Sequence, residues 1–130
     1  MTTIKSYTSV EQSHKLVKIL PIESADMFWS LNNQNHPPVI GKCCAEYGGM
    51  QLPAWSLAAL MSVFPKEEGS CVSISYGYYD ANGNYVKSWL CCYEKEGEST
   101  DDYIIEIITA ENPIDCCYEM ILKLKEKGLL

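Results

Sequence analysis

Apolar and polar positions change period several times along the chain, and each change marks an element. A first helix opens where Thr8 precedes Glu11 by three residues, a spacing that predicts a capping box. Val10, Ser13, Leu16, Val17 and Leu20 then share one face, Glu11 and Lys15 pair on the opposite side, and Pro21 stops the helix. His14 falls at the edge of that apolar face. From 24 to 30, Ala25, Met27 and Trp29 alternate with Asp26, Phe28 and Ser30, which predicts a strand. A polar loop over 32–38 ends in two prolines, a weaker strand covers 39–45, and the Gly48-Gly49 pair makes 47–51 a turn.

Pro53 stands where a helix accepts its first proline, and 54–64 is apolar apart from Ser56 and Ser62. A helix apolar on nearly all sides needs cover on nearly all sides, from its own domain or from a partner, a second copy included, so this helix is a second candidate for protein contact. Residues 71–94 read as two strands folded about Asp80-Ala81-Asn82-Gly83. A two-residue turn at Asn82-Gly83 would match Val72, Ile74, Tyr76 and Tyr78 with Lys87, Trp89, Cys91 and Tyr93. A three-residue loop, with Asp80 opening the turn and Gly83 left-handed, matches them with Val86, Ser88, Leu90 and Cys92 instead. The second uses Asp and Gly at their favoured positions, keeps Lys87 off the core, and is the expected register. It turns Tyr79, Tyr85, Lys87, Trp89 and Tyr93 outward, beside Ser73 and Ser75. Exposed Tyr and Trp are frequent anchors of protein contacts, so these five residues form the candidate interaction surface.

Residues 103–108 are apolar on both faces except Glu106, the pattern of a central strand. Asn112, Pro113 and Asp115 then start a helix whose stripe of Ile114, Cys117, Met120, Ile121 and Leu124 is expected to be buried. Lys123, Lys125 and Lys127 suit its C-terminal end and Gly128 closes it. Cys116 shares a side with Glu119, Lys123 and Lys127, which makes it the candidate exposed thiol. The element order α-β-β-α-β-β-β-α predicts a single globular α+β domain over 1–130, with two layers and a mainly antiparallel sheet carrying three helices.

Charge narrows the function. All ten basic residues are Lys, against 17 carboxylates, for a net charge of -7. Nucleic-acid binding draws on clustered basic residues and base readout on bidentate Arg, so no nucleic-acid partner is expected. The acidic stretch Glu94, Glu96, Glu98, Asp101 and Asp102 is interrupted by Lys95 and Gly97 and reads as a solvated loop. The N-terminus carries Glu11, His14, Lys15 and Lys18 and no signal-peptide run, and no segment approaches a membrane span. The expected location is the cytoplasm.

Six of the seven cysteines stand in adjacent pairs, Cys43-Cys44, Cys91-Cys92 and Cys116-Cys117, with Cys71 alone. The odd count argues against a disulfide framework, and adjacent donors diverge too far to fold onto one zinc ion. Neither a metal nor another cofactor is expected, and no catalytic residue is assigned. Phosphate-binding, nucleophile-elbow and zinc-protease motifs do not occur. A thiol nucleophile or metal site would have to recruit His14 or His36, and this is the alternative to a protein that acts by contact with an unknown partner or with itself.

The segments Tyr7-Thr-Ser-Val-Glu-Gln-Ser, Leu20-Pro-Ile-Glu-Ser-Ala-Asp-Met27, Leu52-Pro-Ala-Trp-Ser-Leu-Ala-Ala-Leu60 and Glu111-Asn-Pro-Ile-Asp115, with Met120-Ile-Leu-Lys-Leu124, resemble small proteins of phages and mobile elements of gut Bacteroidales. The resemblance implies a phage or prophage accessory protein in a bacterial cytoplasm and carries over no functional residue.

Overall fold

In the computed structural model, which describes residues 5–42, 50–97 and 103–130, the chain divides into two units, Lys5–Val63 and Phe64–Leu130. The order is α1 (Val10–Leu16), β1 (Met27–Ser30), β2 (Val39–Ile40), β3 (Gln51–Ala54), α2 (Leu57–Ser62), β4 (Ser70–Tyr79), β5 (Tyr85–Lys95), β6 (Ile104–Ala110) and α3 (Pro113–Glu126). This is the expected α+β class with antiparallel pairing. The strands form two three-stranded sheets, β2-β1-β3 and β4-β5-β6, and β3 is added to the expected order.

The N-terminal unit is organised by buried hydrogen bonds. Its capping box lies one residue later than expected: Ser9 Oγ accepts from Gln12 N and Gln12 Oε1 accepts from Ser9 N. Thr8 is fully buried and otherwise engaged. Its Oγ1 bonds Ser13 Oγ at 2.8 Å and accepts from Trp55 N at 3.1 Å, while its carbonyl accepts from Trp29 Nε1 at 3.0 Å. The helix stops at Leu16, before the expected Pro21, and Val17 is exposed. His14 is exposed as well, not part of the apolar face.

Pro53 belongs to edge strand β3, opposite Phe28, rather than to a helix. An edge strand tolerates proline because one side of its backbone makes no ladder bonds. The expected helix over 54–64 is therefore only six residues long, with Ser56 as its cap. Asp26 anchors that cap, accepting from Ser56 N at 2.9 Å and from Ser56 Oγ. Trp29, Leu52 and Ala54 form a core with Tyr7, Val10, Met27 and Leu31 packed against it. The strand expected over 39–45 is reduced to Val39–Ile40, and its residues 43–45, like the Gly48-Gly49 turn, lie outside the described residues.

In the C-terminal unit the hairpin loop has the expected form: Asp80 N donates to Asn84 O, Gly83 N donates to Asp80 O, and Gly83 has φ +80°. Its register holds only as far as Tyr79↔Tyr85 and Tyr78↔Val86. Beyond that, Lys87 and Ser88 together oppose Gly77, and the pairs become Tyr76↔Trp89, Ile74↔Cys91 and Val72↔Tyr93. A β-bulge thus converts one register into the other within a single hairpin, and every β5 side chain past it changes face. Trp89, Cys91 and Tyr93 turn toward α3 as a result.

Helix α3 packs against β5 and β6. Asn112 caps it, accepting from Asp115 N at 2.8 Å, and Leu129 N bonds back to Leu124 O to close it past Gly128. Ile114, Met120, Ile121 and Leu124 are fully buried, each worth about 1.5–3 kcal/mol of transfer free energy. Strand β6 is an edge strand, not the expected central one. Its Glu106 lies on the inner face, opposite Tyr93, and pairs with Lys123 at 3.0 Å and with Lys127.

Gly77 has φ +83°, and a Cβ there would lie 1.9 Å from the Tyr85 hydroxyl. Gly77→Ala should destabilise the protein by about 1–3 kcal/mol from the backbone alone. In urea denaturation the Gly77→Ala/Tyr85→Ala double variant should lose less than the two single losses summed. The two lysines, led by the Lys127 hydrogen bond, hold the Glu106 carboxyl below its ordinary range. A carboxylate with a lowered folded pKa stabilises fully above its unfolded value and loses that contribution as pH falls through the folded one. Wild type should therefore lose stability more steeply than Glu106→Gln below about pH 4.3. Removing both partners (Lys123→Met with Lys127→Met) should lower stability in urea at neutral pH by leaving Glu106 without its ion pairs, a loss moderated by the solvent exposure of the lysine ends.

Candidate functional site

The β4-β5-β6 sheet has an inner face toward α3 and an outer face away from it, and the pairing registers assign each side chain. Tyr93↔Glu106 and Cys91↔Ile108 share the inner face with Val72 and Ile74. The outer face is a grid of three rows: Cys71, Glu94, Ile105; Ser73, Cys92, Ile107; and Ser75, Leu90, Thr109. Tyr79 and Tyr85 extend it toward the hairpin loop, and Tyr103 flanks its other end.

The expected interaction surface is split by this arrangement. Tyr79, Tyr85 and Lys87 are exposed. Tyr93 is buried on the inner face, and Trp89 is half-buried there with its ring 5.3 Å from that of Tyr76 at 60°. The Gly77 bulge is the cause, because it moves both residues off the face that the loop alone would give them. Tyr85 has a structural duty besides: its ring covers Gly77 and meets that of Tyr79 edge-on at 5.3 Å.

What the sequence reading missed is the β6 column. Ile105 is 49% exposed and Ile107 50%, with Tyr103 at 46% beside them. Reading 103–108 as a central strand hid them, since both faces were expected to be covered. The signal was Glu106: an inward-pointing charge is one of the devices that blunt an edge strand. Glu94 is the carboxylate of the grid, accepting from the Tyr103 hydroxyl at 2.9 Å and from Cys92 Sγ at 3.6 Å. These bonds raise the Tyr103 phenol above its ordinary range, while Cys92 is raised first by burial and then by Glu94. Glu98, Asp101 and Asp102 of the expected acidic loop lie outside the described residues.

Cys116 is not an exposed thiol; it is fully buried. Its stripe looked wet because it carries Glu119, Lys123 and Lys127; Glu119 and Lys127 are indeed exposed, but the two lysine ends turn to Glu106 and Cys116 itself lies under the sheet. Cys116 Sγ lies 3.3 Å from Trp89 O, and burial first of all pushes its thiol up to about 11. Cys117 is held above the thiol range by its side-chain hydrogen bond with Cys91 and by burial. Of the described cysteines, Cys71 is exposed and Cys92 half-buried; Cys43 and Cys44 lie outside the described residues. His36 Nδ1 lies 2.7 Å from Pro37 O on an exposed loop, and His14 is exposed on α1. Among the described residues no three His, Cys, Asp or Glu side chains are placed to hold a metal, and no helix is long and apolar enough to cross a membrane.

No family model, curated protein or solved structure matches the chain.

Alkylation should rank the thiols by burial. Iodoacetamide at pH 8, followed by peptide mass spectrometry, should label Cys71 first of the described cysteines. Cys91, Cys116 and Cys117 should be labelled only in denaturant, because attack needs an accessible thiolate.

Proposed function

We propose that the chain is a non-enzymatic accessory protein that works through protein contact, using the outer face of the β4-β5-β6 sheet. The observation that carries this reading is the pair Ile105 and Ile107, half-exposed on a sheet face continuous with Leu90, Cys92 and Tyr103. Exposed aliphatic and aromatic side chains grouped on one face of a soluble domain are a feature of contact surfaces, whereas scattered single ones are not. Tyr79 and Tyr85 add amphipathic rings of the kind that anchor interfaces. The resemblance of segments near both termini and in the middle of the chain to small proteins of phages and mobile elements supports a phage or prophage setting, and with it a bacterial cytoplasm.

Affinity capture from the native host tests the reading. Proteins recovered with the wild-type chain should be lost with Ile105→Asp/Ile107→Asp and retained with Lys66→Ala, a change at an exposed residue outside the grid. Both variants should keep the wild-type far-ultraviolet dichroism, because the substituted side chains are exposed. Retention of every partner by the double aspartate variant would rule out this face.

A further inference from the structure

Cys91 on β5 and Cys116 and Cys117 on α3 are all fully buried where the helix packs on the sheet. Cys116 Sγ lies 3.3 Å from Trp89 O and 3.9 Å from Ile108 O. A thiol hangs only two bonds from its Cα, so these contacts draw the α3 backbone itself down onto β5 and β6. Cys91 stands on the inner face two residues beyond Trp89, between Ile74 and Ile108. Its thiol is hydrogen-bonded to that of Cys117. We propose that Cys91 and Cys117 are a redox pair, which a peroxide oxidises to a disulfide that staples α3 to the sheet.

Geometry selects this pair among the described cysteines. A disulfide needs Cα atoms about 4.4–6.8 Å apart, which cysteines on packed elements reach only where the backbones approach closely. Hydrogen-bonded thiols already have their sulfurs in contact. Cys116 is not the partner, because its thiol is turned to the Trp89 carbonyl. Cys71 and Cys92, on the outer face, stand on neighbouring rungs of the ladder, opposite Glu94 and Ser73 respectively. Such diagonal positions lie about 7–8 Å apart, too far for the bond.

The two thiols have different roles. The Cys117 thiol donates to Cys91 and holds the Cys91 thiol below its ordinary range, against the opposing effect of burial. Cys91 is therefore the nucleophile. Its thiolate attacks one peroxide oxygen: the S–O bond forms, the O–O bond breaks, and the departing hydroxide leaves as water with the proton that Cys91 gave up. The Cys117 sulfur then attacks the sulfenic acid on Cys91; the S–S bond forms, the S–O bond breaks, and a second water carries off the Cys117 proton. Two thiols and one peroxide become one disulfide and two waters, and a dithiol reductant restores the pair. Burial sets the pace. An oxidant hardly larger than water reaches the sulfurs when α3 lifts from the sheet, and the bond, once made, holds the helix down. It also closes the loop 92–116, which restricts the unfolded chain and stabilises the oxidised form.

Hydrogen peroxide treatment of the whole chain, quenched with N-ethylmaleimide in denaturant and followed by non-reducing peptide mass spectrometry, tests this. The peptides of Cys91 and Cys117 should be joined, with the label falling on Cys92 and Cys116 within each adjacent pair, and dithiothreitol should separate them. Oxidation should raise the thermal midpoint by roughly 10 °C in wild type and in Cys116→Ala, but not in Cys117→Ala. Cys91 and Cys117 that still take the label after peroxide, or that are joined to other cysteines instead, overturn the pair. A midpoint that does not rise when the two are joined, or that rises equally in Cys117→Ala, overturns the staple. The peptide mapping uses wild type alone and decides the pairing even where Cys117→Ala fails to fold.

Discussion

One extra residue in β5 opposite Gly77 determines what the C-terminal unit is. The hairpin loop, left to itself, would point Cys92, Leu90 and Ser88 at α3. With the bulge, the helix meets Tyr93, Cys91 and Trp89 instead, and the smaller set faces outward. The inner surface gains two aromatic rings, and the outer surface keeps a shallow, mostly uncharged relief. Gly77 makes this possible in two ways: it takes the positive φ of the irregular backbone, and it leaves the space that the Tyr85 ring occupies. Ser88, within the bulge, donates to Ala110 O at 2.8 Å, so the irregular residue also secures the end of β6.

The N-terminal unit solves a different problem by a different means. Its sheet is short, with four, two and four residues in β1, β2 and β3, so ladder bonds alone hold little. Hydrogen bonds from side chains to distant backbone take over. Thr8 joins the start of α1 to the end of β3, and Asp26 joins the start of β1 to the start of α2. A buried hydroxyl such as that of Thr8, left without its partners, would cost on the order of 1–3 kcal/mol. These polar residues therefore specify the arrangement as much as Trp29 and Trp55 fill it.

The features legible in the sequence are those set by neighbours along the chain. Asn112, Pro113 and Asp115 start α3, Gly128 follows its end, and the Asp80 to Gly83 loop forms as its residue types require. The features that were not legible depend on what a residue meets across space. Thr8 has the chemistry of a cap but is claimed by Ser13 and Trp55, so Ser9 caps α1 instead. Pro53 fits a helix start and equally an edge strand, and Phe28 opposite it decides. The β-bulge has no local signature beyond Gly77, and glycine in a strand has several uses. Cys116 was misplaced because its polar helix neighbours suggested water, whereas Glu119 and Lys127 are exposed and Cys116 is buried, with its Sγ beside Trp89 O.

Glu106 links the two faces of the sheet. An edge strand of sequence Ile-Ile-Glu-Ile-Ile exposes unpaired backbone groups beside four branched apolar side chains, the profile of a strand that adds to other strands without limit. The carboxylate on its inner face opposes that outcome. A strand of another chain placed against β6 would have to pack beside a charge already satisfied by Lys123 and Lys127. The edge is thus closed to pairing while the outer face, with Ile105 and Ile107, stays open. A contact made through a sheet face can close on itself, whereas pairing along an edge propagates. The inward glutamate blunts the edge of a strand that carries exposed isoleucines on its other face.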